Sequence, residues 1–323
     1  MGALLKDVAR RTGLAPSTVS KILNEVAAFS VPEATRERVL LAASELGYSP
    51  NRMARGLGRG RTDNIGLLIS SLHHPFFADI AHTLDALAAQ SGRALVIEED
   101  RPSTAPPGVR ESPRWPVDGM IAWVGAKRLI GDERRPFPVV YVGEQRTDDT
   151  DWVSFDLYGG GQALAMHVLA AGRRKPMMLA GGRDARMKGV RDAMAAHGIE
   201  LLTPSISGFR ESRQCGFEAA LRIADLPAAE RPDVILCHND VLATGVYHAL
   251  LRRGVRVPED IAVTGFDGID EGQWLDKKLT TLRFDIPSMC ASALDILVRR
   301  MAGDGFPRRS VIVPGALSAG ETA

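Results

Sequence analysis

Beyond Thr62, short apolar runs alternate with segments of helical period, and this alternation constrains the fold more than any other feature of the sequence. The runs are IGLLIS (65–70), ALVIEE (94–99), GMIAWV (119–124), PVVYVG (138–143), KPMMLAG (175–181), DVILCH (233–238) and IAVTGFD (261–267). Strand, helix and strand repeated along a chain predict parallel sheets that helices cover on both faces. Because this number of strands is large for a single sheet, we expect residues 63–323 to form an α/β core of two doubly wound parallel-sheet lobes.

The alternation is interrupted at RPSTAPPGVRESPRWP (101–116), which contains five prolines. Proline lacks an amide donor and clashes with the preceding helical turn, so these residues oppose the helix that the alternation would place there. We expect a loop over this segment.

The first 50 residues have the pattern of three short helices. Gly13 stands where a left-handed cap closes a first helix, and Pro16 suits the first turn of a second. The inward positions at helical spacing are Leu5, Val8, Ala9 and Thr12 in the first helix, and Val19, Ile22 and Leu23 in the second. A third helix, roughly Glu33 to Leu46, is expected to stop at Gly47 and to bury Val39, Leu40, Ala43 and Leu46. Residues 1–50 are therefore predicted to form an all-α helix-turn-helix module.

The charge of the chain is unevenly distributed. Residues 1–62 contain ten Lys and Arg against five Asp and Glu, a formal charge of +5, so the remainder carries −4 of the total of +1. A small basic head on a mildly acidic body favours a polyanion as the partner of the head. A basic surface that only faces solvent is the alternative.

The segment NRMARGLGRGR (51–61) is basic and rich in glycine. An isolated helix of this length is unstable in water, because nucleation is costly and each glycine adds about 1 kcal/mol. We expect residues 51–62 to be a linker, or a hinge helix that forms only on a partner.

Cysteine spacing and hydropathy indicate the compartment. Cys215, Cys237 and Cys290 fall at no metal-ligand spacing and are expected to be buried, reduced side chains. The sequence shows neither the apolar run of a signal peptide nor a stretch long enough to span a bilayer. We expect a cytoplasmic protein without a metal or cofactor.

An ordered series of motifs resembles the LacI/GalR family of bacterial transcription regulators along nearly the whole chain. The series is KDVARRTGLAPSTVSKILN, TRERV, LGYSPNRMARGL, NIGLLIS, HPFF, VDGMI, GGGQALAMHVLAAG, CHNDVLATG and VTGFDG followed by LTTLR. The resemblance implies a DNA-binding headpiece (1–50), a hinge helix (51–62) and a two-lobed core similar to the type I periplasmic sugar-binding proteins (63–323). It also implies a repressor, or less often an activator, that acts as a homodimer, or as a pair of dimers, on a double-stranded DNA operator.

The second helix is the predicted base-reading element. Ser17 and Thr18 are each one turn from Lys21, so a helix end in the major groove would present all three to base edges and phosphates. A solvated helix face is the alternative. Thr35 and Arg36 begin the third helix, where amides and a guanidinium can hold a phosphate, although a plain helix start is nearly as good an explanation.

The family's hinge implies that Leu57 enters the minor groove while Arg52 and Arg55 contact phosphates; a leucine docked on the core is the alternative. The other predicted DNA contacts are Asn24 and Asn51.

Ligands of open parallel sheets bind at the carboxyl ends of the strands, and polar and aromatic residues occupy those positions here. Carboxylate, amide and guanidinium groups around aromatic faces suit a small hydroxyl-rich effector, such as a sugar or its derivative, between the lobes. By resemblance to the family, Arg186 and Asp267 are the foremost candidates. The further candidates are Asn239, His73, Phe76, Trp123 and Phe284. Strand-end Asp and Asn also cap helices, and we expect Asp240 to be structural.

Two other functions are compatible with parts of the pattern. A dinucleotide-dependent enzyme is disfavoured, because Gly159 to Gly161 lack the spaced glycine fingerprint and no nucleophile with its base can be assembled. A secreted sugar-binding protein would use the same core, but the basic headpiece and the missing signal peptide argue against it. We therefore expect a regulator and not an enzyme.

Overall fold

The computed structural model describes residues 3–23, 29–48, 61–99, 116–123, 137–144, 150–180, 184–204 and 211–323. The chain divides into two compact units, Met1–Thr62 and Asp63–Ala323. The predicted hinge (51–60) and nearly all of the predicted proline-rich loop lie outside the described residues.

The first unit contains α1 (Leu5–Thr12), α2 (Pro16–Leu23) and α3 (Glu33–Glu45). Gly13 closes α1 with φ 70°, as the sequence predicts. The core of the unit contains Val8, Val19, Ile22 and Val39.

The predicted inward face of α3 is partly wrong. Leu40 and Leu46 are 50% and 38% exposed, whereas Ala42 is buried. The contacts of α3 follow Val39, Ala42 and Ala43 at spacings of three and four. Leu40 lies about 100° around the helix from Val39, so the alanine stripe and not the leucine pair sets the buried face.

The second unit contains two lobes. Lobe 1 has a parallel six-stranded sheet in the order β10-β5-β4-β3-β1-β2. Its strands are β1 (Asn64–Ile69), β2 (Ala94–Glu99), β3 (Gly119–Trp123), β4 (Val139–Val142), β5 (Asp151–Phe155) and β10 (Ser310–Val313). Helices α4 (Pro75–Gln90) and α9 (Ile286–Met301) pack together beside this sheet. In the register, Ile65 of β1 lies opposite Leu95 of β2 and Gly119 of β3.

Lobe 2 has a parallel sheet in the order β6-β7-β8, formed by Pro176–Leu179, Val234–Cys237 and Ala262–Thr264. Its helices are α5 (Leu157–Ala170), α6 (Ala185–Ala196), α7 (Arg213–Ala224) and α8 (Asp240–Arg252). One apolar cluster contains side chains from both lobes, including Ile121, Leu164, Val190 and Phe266. The predicted fold of two parallel-sheet lobes is confirmed.

Four strands were not predicted from the sequence: β5, β9 (Thr281–Phe284), β10 and β11 (Gly315–Ser318). Strands β9 and β11 pair antiparallel, which the prediction of parallel sheets did not include. The sheet of β9 and β11 packs against α5 of lobe 2. The chain therefore passes between the lobes after β5, after β9 and after β10. The prediction that all three cysteines are buried fails for Cys215, which is half-buried.

None of the helices within the described ranges is long and apolar enough to cross a membrane.

A buried carboxylate, paired with arginines, fixes the last strand of lobe 1. Asp151 accepts hydrogen bonds from Arg300 Nε (2.8 Å) and Nη2 (3.0 Å), Arg308 Nη1 (3.1 Å) and the Arg309 amide (3.0 Å). Burial acts to raise the pKa of Asp151, but the hydrogen bonds from Arg300 and Arg309 outweigh it, so this pKa is lowered. The carboxylate therefore joins the end of α9 to the start of β10.

Replacement of Asp151 by alanine should lower the free energy of unfolding by about 1–3 kcal/mol, because the Arg300 guanidinium and the Arg309 amide lose their hydrogen-bonding partner. Asp304→Ala is the matched control: its pair with Arg299 (2.9 Å) is exposed, so its loss should cost less than about 1 kcal/mol. Denaturant titration at neutral pH measures both. Because the folded pKa is lowered, the contribution of Asp151 is present above about pH 3.9 and is lost as the pH falls through the lowered value. Equal losses in the two variants would contradict this role.

Candidate functional site

In the first unit, the predicted DNA-contacting residues of α2 lie on the side of the helix that faces away from the core. Ser17 and Lys21 are exposed and Thr18 is half-buried, while Val19 and Ile22 on the opposite face fill the core. Lys21 Nζ lies 5.0 Å from the centre of the Phe29 ring. The predicted contacts Asn24, Asn51, Arg52, Arg55 and Leu57 lie outside the described residues.

The start of α3 offers less to a phosphate than its sequence suggests. The amides of Thr35 and Arg36 both donate to Pro32 O, at 2.9 and 3.2 Å. Arg36 Nε lies 3.8 Å from Glu33 Oε2, and both Thr35 and Arg36 are half-buried. A phosphate would therefore meet the Thr35 hydroxyl and the Arg36 guanidinium, and not these two amides.

In the second unit, Arg186 lies in the first turn of α6, at the carboxyl end of the lobe 2 sheet. Its Nε lies 2.8 Å from Asp184 Oδ2, and its Nη1 lies 3.8 Å from Asp267 Oδ1 and donates to His238 O at 2.5 Å. The guanidinium also covers the Phe266 ring, 4.7 Å from its centre. The structure thus brings together Arg186 and Asp267, the two foremost candidates.

Asp267 has an unusual backbone conformation and a shifted pKa. Its φ is 118°, a region that residues other than glycine seldom adopt, and its amide donates to Leu282 O at 2.9 Å. Burial raises the pKa of Asp267 well above its ordinary value; Asp240, Glu211 and Asp184 add to the rise, and Arg186 opposes it. Backbone strain of this kind clusters at ligand sites, where the surroundings must maintain it.

A row of aromatic rings leads from Arg186 into lobe 1. Phe266 lies 5.5 Å from Phe284, Phe284 lies 6.3 Å from Phe76, and Phe76 lies 5.7 Å from Trp123, between ring centres. Phe155 stacks on Phe284 at 4.2 Å. Three predicted residues, Phe76, Trp123 and Phe284, therefore belong to one cluster that connects the lobes.

The predicted residue His73 is not brought into this cluster. It is exposed, and its amide donates to Ser71 Oγ at 3.2 Å. The neighbouring His74 instead contacts Phe76 and Phe77, and its Nε2 lies 3.1 Å from Asn239 Nδ2. The position of His74 directly before Pro75, at the start of a helix, is the sequence signal that would have distinguished the two histidines.

Sequence reasoning also missed three polar residues beside Arg186: Asp184, Glu211 and His238. His238 Nε2 lies 3.0 Å from Glu211 Oε1 and 3.8 Å from Asp184 Oδ2. Burial acts to raise the pKa of Glu211, but the hydrogen bond from His238 and the positive charge of Arg186 outweigh it and lower this pKa. Asp184 caps α6 by accepting from the Met187 amide, so its strand-to-helix position is the only signal in the sequence.

The carboxylate of Asp240 is engaged in hydrogen bonds within the protein. It accepts from Thr281 Oγ1 at 2.5 Å and from the Ile269 amide at 2.8 Å. Burial raises its pKa to about 6, against the lowering effect of these hydrogen bonds. These contacts connect α8 to β9 and to the loop that follows Asp267.

Together, Arg186, its acidic neighbours and the row of aromatic rings offer hydrogen bonds and aromatic faces. Guanidinium donors, carboxylate acceptors and aromatic rings suit a ligand that both donates and accepts. Over the described ranges, no group of three His, Cys, Asp or Glu side chains is placed to hold a metal ion.

Comparisons with known proteins agree with this architecture. Residues 4–51 match the sequence model of the bacterial regulatory proteins of the lacI family, and residues 165–323 match that of the periplasmic binding protein-like domain. The HTH-type transcriptional repressor PurR of Photobacterium profundum is 29% identical over 320 residues, which cover 95% of this chain and 94% of the relative.

Two solved structures share the fold. The Lac repressor dimer bound to operator and the anti-inducer ONPF has a TM-score of 0.80 at 23% identity, and the match covers 100% of this chain and 99% of that one. A complex of the transcriptional regulator CelR with cellobiose has a TM-score of 0.67 at 24% identity, and covers 99% of this chain and 100% of that one. At such identities the likeness concerns the fold.

Helices α5 and α6 approach so closely that only glycine fits between them. A Cβ on Gly161 would lie 2.2 Å from Arg186 O, and one on Gly189 would lie 2.1 Å from Tyr158 O. The glycine-rich start of α5 therefore sets the position of the turn that carries Arg186.

Gly161→Ala should force α6 away from α5 and lower the free energy of unfolding by about 1–3 kcal/mol, as overpacking does. Gly305→Ala is the control, because a Cβ there meets no atom within 4 Å. Denaturant unfolding of both variants measures the difference. If Gly161→Ala is as stable as Gly305→Ala, the close approach does not constrain α6.

Proposed function

The chain is a DNA-binding transcriptional repressor of the LacI family, and from this membership we propose that a small hydroxyl-rich effector, a sugar or its derivative, controls it from between the two lobes. The chain is a regulator and not an enzyme. We further propose that it acts in the cytoplasm as a homodimer. Helix-turn-helix proteins of this kind read two half-sites of DNA through two copies of the headpiece.

The contacts of Arg186 carry the effector proposal. Its guanidinium is half-buried between Asp184 and Asp267 and covers Phe266, at one end of the row of rings that reaches Trp123 in lobe 1. Hydroxyl groups of a ring-shaped ligand both donate and accept, so guanidinium donors and carboxylate acceptors can bracket its edge while aromatic faces cover its apolar side.

The nature of the effector also draws on a structural neighbour. The CelR structure contains cellobiose, a hydroxyl-rich ligand of the class proposed here. A thermal-shift screen of the full-length protein against sugars, sugar phosphates and nucleosides tests the class directly. A ligand that binds only the folded state raises the melting temperature by mass action. A response to nucleosides alone would refute the proposed sugar class.

The DNA-reading proposal rests on the exposed face of α2, which the core of the first unit orients outward. Lys21 is the residue on that face with the greatest power to discriminate, because lysine favours the acceptors of guanine whereas hydroxyls are less selective.

Lys21→Ala should weaken binding to the operator by about 1–3 kcal/mol more than binding to random DNA, because a base contact is lost. Lys6→Ala, an exposed residue on α1, removes the same charge and should weaken both kinds of DNA alike. Fluorescence anisotropy with an in vitro selected operator and with a scrambled duplex, at two salt concentrations, separates the effects. Equal losses for Lys21→Ala on both duplexes would make Lys21 a phosphate contact.

Arg186→Ala should reduce effector affinity by roughly five- to 150-fold, because a buried hydrogen-bonding partner is left unpaired. Operator affinity without effector should stay near that of the wild type, since an effector acts only through its different affinities for two core states. The exposed Arg191 on the same helix provides the control Arg191→Ala. Operator titrations with and without the ligand from the screen decide. A wild-type response in Arg186→Ala would show that Arg186 is a structural residue.

A further inference from the structure

A direct hydrogen bond joins the two lobes beside the candidate effector site. His74 immediately precedes α4 in lobe 1, and Asn239 caps α8 in lobe 2. Asn239 Nδ2 lies 3.1 Å from His74 Nε2. The contact therefore bridges elements that the chain separates by 165 residues.

The cap contact of Asn239 fixes which atom donates. Its Oδ1 accepts from the Leu242 amide at 2.8 Å, so the amide nitrogen Nδ2 is the atom that faces His74. An amide nitrogen donates and cannot accept, so His74 Nε2 must be the unprotonated acceptor. In the neutral ring the proton then resides on Nδ1.

From this geometry we propose that His74 is a positioning residue, which latches the two lobes together through Asn239 only while its ring is neutral with the proton on Nδ1. The proposal deepens the proposed function and rests on it, since it specifies what favours the closed core that an effector would select. The latch is adjacent to Arg186, because Arg186 Nη1 donates to the carbonyl of His238, the residue before Asn239.

Protonation of His74 would replace the hydrogen bond to Asn239 with a repulsive contact. A protonated ring donates from both nitrogens, so two donors would face each other across the lobes. The latch therefore gives a direct route from pH to lobe closure.

The surroundings of His74 contain charges of both signs. Burial has the largest effect and lowers the pKa of His74; Arg213 and Arg186 lower it as well, whereas Glu211 and Glu271 raise it. With a lowered folded pKa, the latch is fully present above the ordinary value of about 6.5 and is lost as the pH falls through the lowered value.

The tautomer can be observed without DNA or effector. In full-length protein labelled with ¹⁵N-histidine, long-range ¹H–¹⁵N correlation spectra at pH 7.5 should give His74 a pyridine-like Nε2 and a protonated Nδ1. The His74→Gln variant identifies the resonance by its loss. A protonated Nε2 at this pH would overturn the proposal.

Two variants distinguish the contribution of the acceptor atom from that of the aromatic ring. His74→Gln keeps an acceptor oxygen near the position of Nε2 but does not titrate, whereas His74→Phe keeps a ring and has no acceptor. Spin labels at the exposed positions 85 in lobe 1 and 222 in lobe 2 report closure, in Cys215→Ser protein diluted with unlabelled protein. Thermal unfolding of each variant verifies that it folds.

Pulsed electron spin resonance at pH 7.5 and at a series of lower pH values, down to the lowest at which each variant stays folded, gives the distribution of distances between the lobes. The ratio of closed to open wild-type protein should fall roughly two- to tenfold as the pH falls through the lowered pKa of His74, the range that one net hydrogen bond supplies. His74→Gln should remain closed over the whole series, and His74→Phe should resemble acidified wild type throughout.

Closure that is independent of pH in the wild type, or identical pH responses in the wild type and His74→Gln, would overturn the latch. If the latch responds as expected but no screened ligand changes operator binding, the proposed effector control fails and the latch remains. If a ligand changes operator binding equally in the wild type, His74→Gln and His74→Phe, effector control holds and the latch does not contribute to it.

Discussion

The position of the Arg186 guanidinium between Asp184 and Asp267 is the constraint on which the candidate site depends. The half-buried guanidinium lies 2.8 Å from an Asp184 oxygen on one side and 3.8 Å from an Asp267 oxygen on the other, so an acidic side chain flanks it on each side. The backbone that carries it is fixed by a helix contact that only glycine permits, at Gly161. The strained Asp267 is fixed in turn by its hydrogen bond to β9. The site is therefore formed by the packing of lobe 2 itself, and a site organised in this way loses little freedom when a ligand binds.

Several contacts connect the candidate site in lobe 2 to lobe 1. The chain passes between the lobes at three points, and one apolar cluster is shared by both lobes. The aromatic row from Phe266 to Trp123 and the hydrogen bond between His74 and Asn239 also cross from one lobe to the other. A ligand that favours one arrangement of these contacts shifts the whole core, because packed interfaces move between discrete states and do not deform continuously.

Much of this architecture could be predicted from the sequence, for identifiable reasons. Strands with uniformly apolar runs, such as those at 65–70 and 233–238, were recognisable because both of their faces are buried. Strands β9 and β10 include exposed positions, so their pattern is less distinct. Arg186 and Asp267 were identified through family resemblance. Asp184, Glu211 and His238 were missed, because their role comes from contacts between residues distant in the chain, and no local spacing reveals these contacts.

We propose that two copies of the basic headpiece, related by two-fold symmetry, read a specific DNA sequence. In vitro selection from a random duplex library with the full-length protein, followed by footprinting of the enriched sequence, tests it most directly. We expect an inverted repeat with two protected half-sites, and an affinity that falls steeply as salt rises, because phosphate contacts release counter-ions. Enrichment of no sequence, protection of a single asymmetric site, or an affinity that does not change with salt would contradict the account.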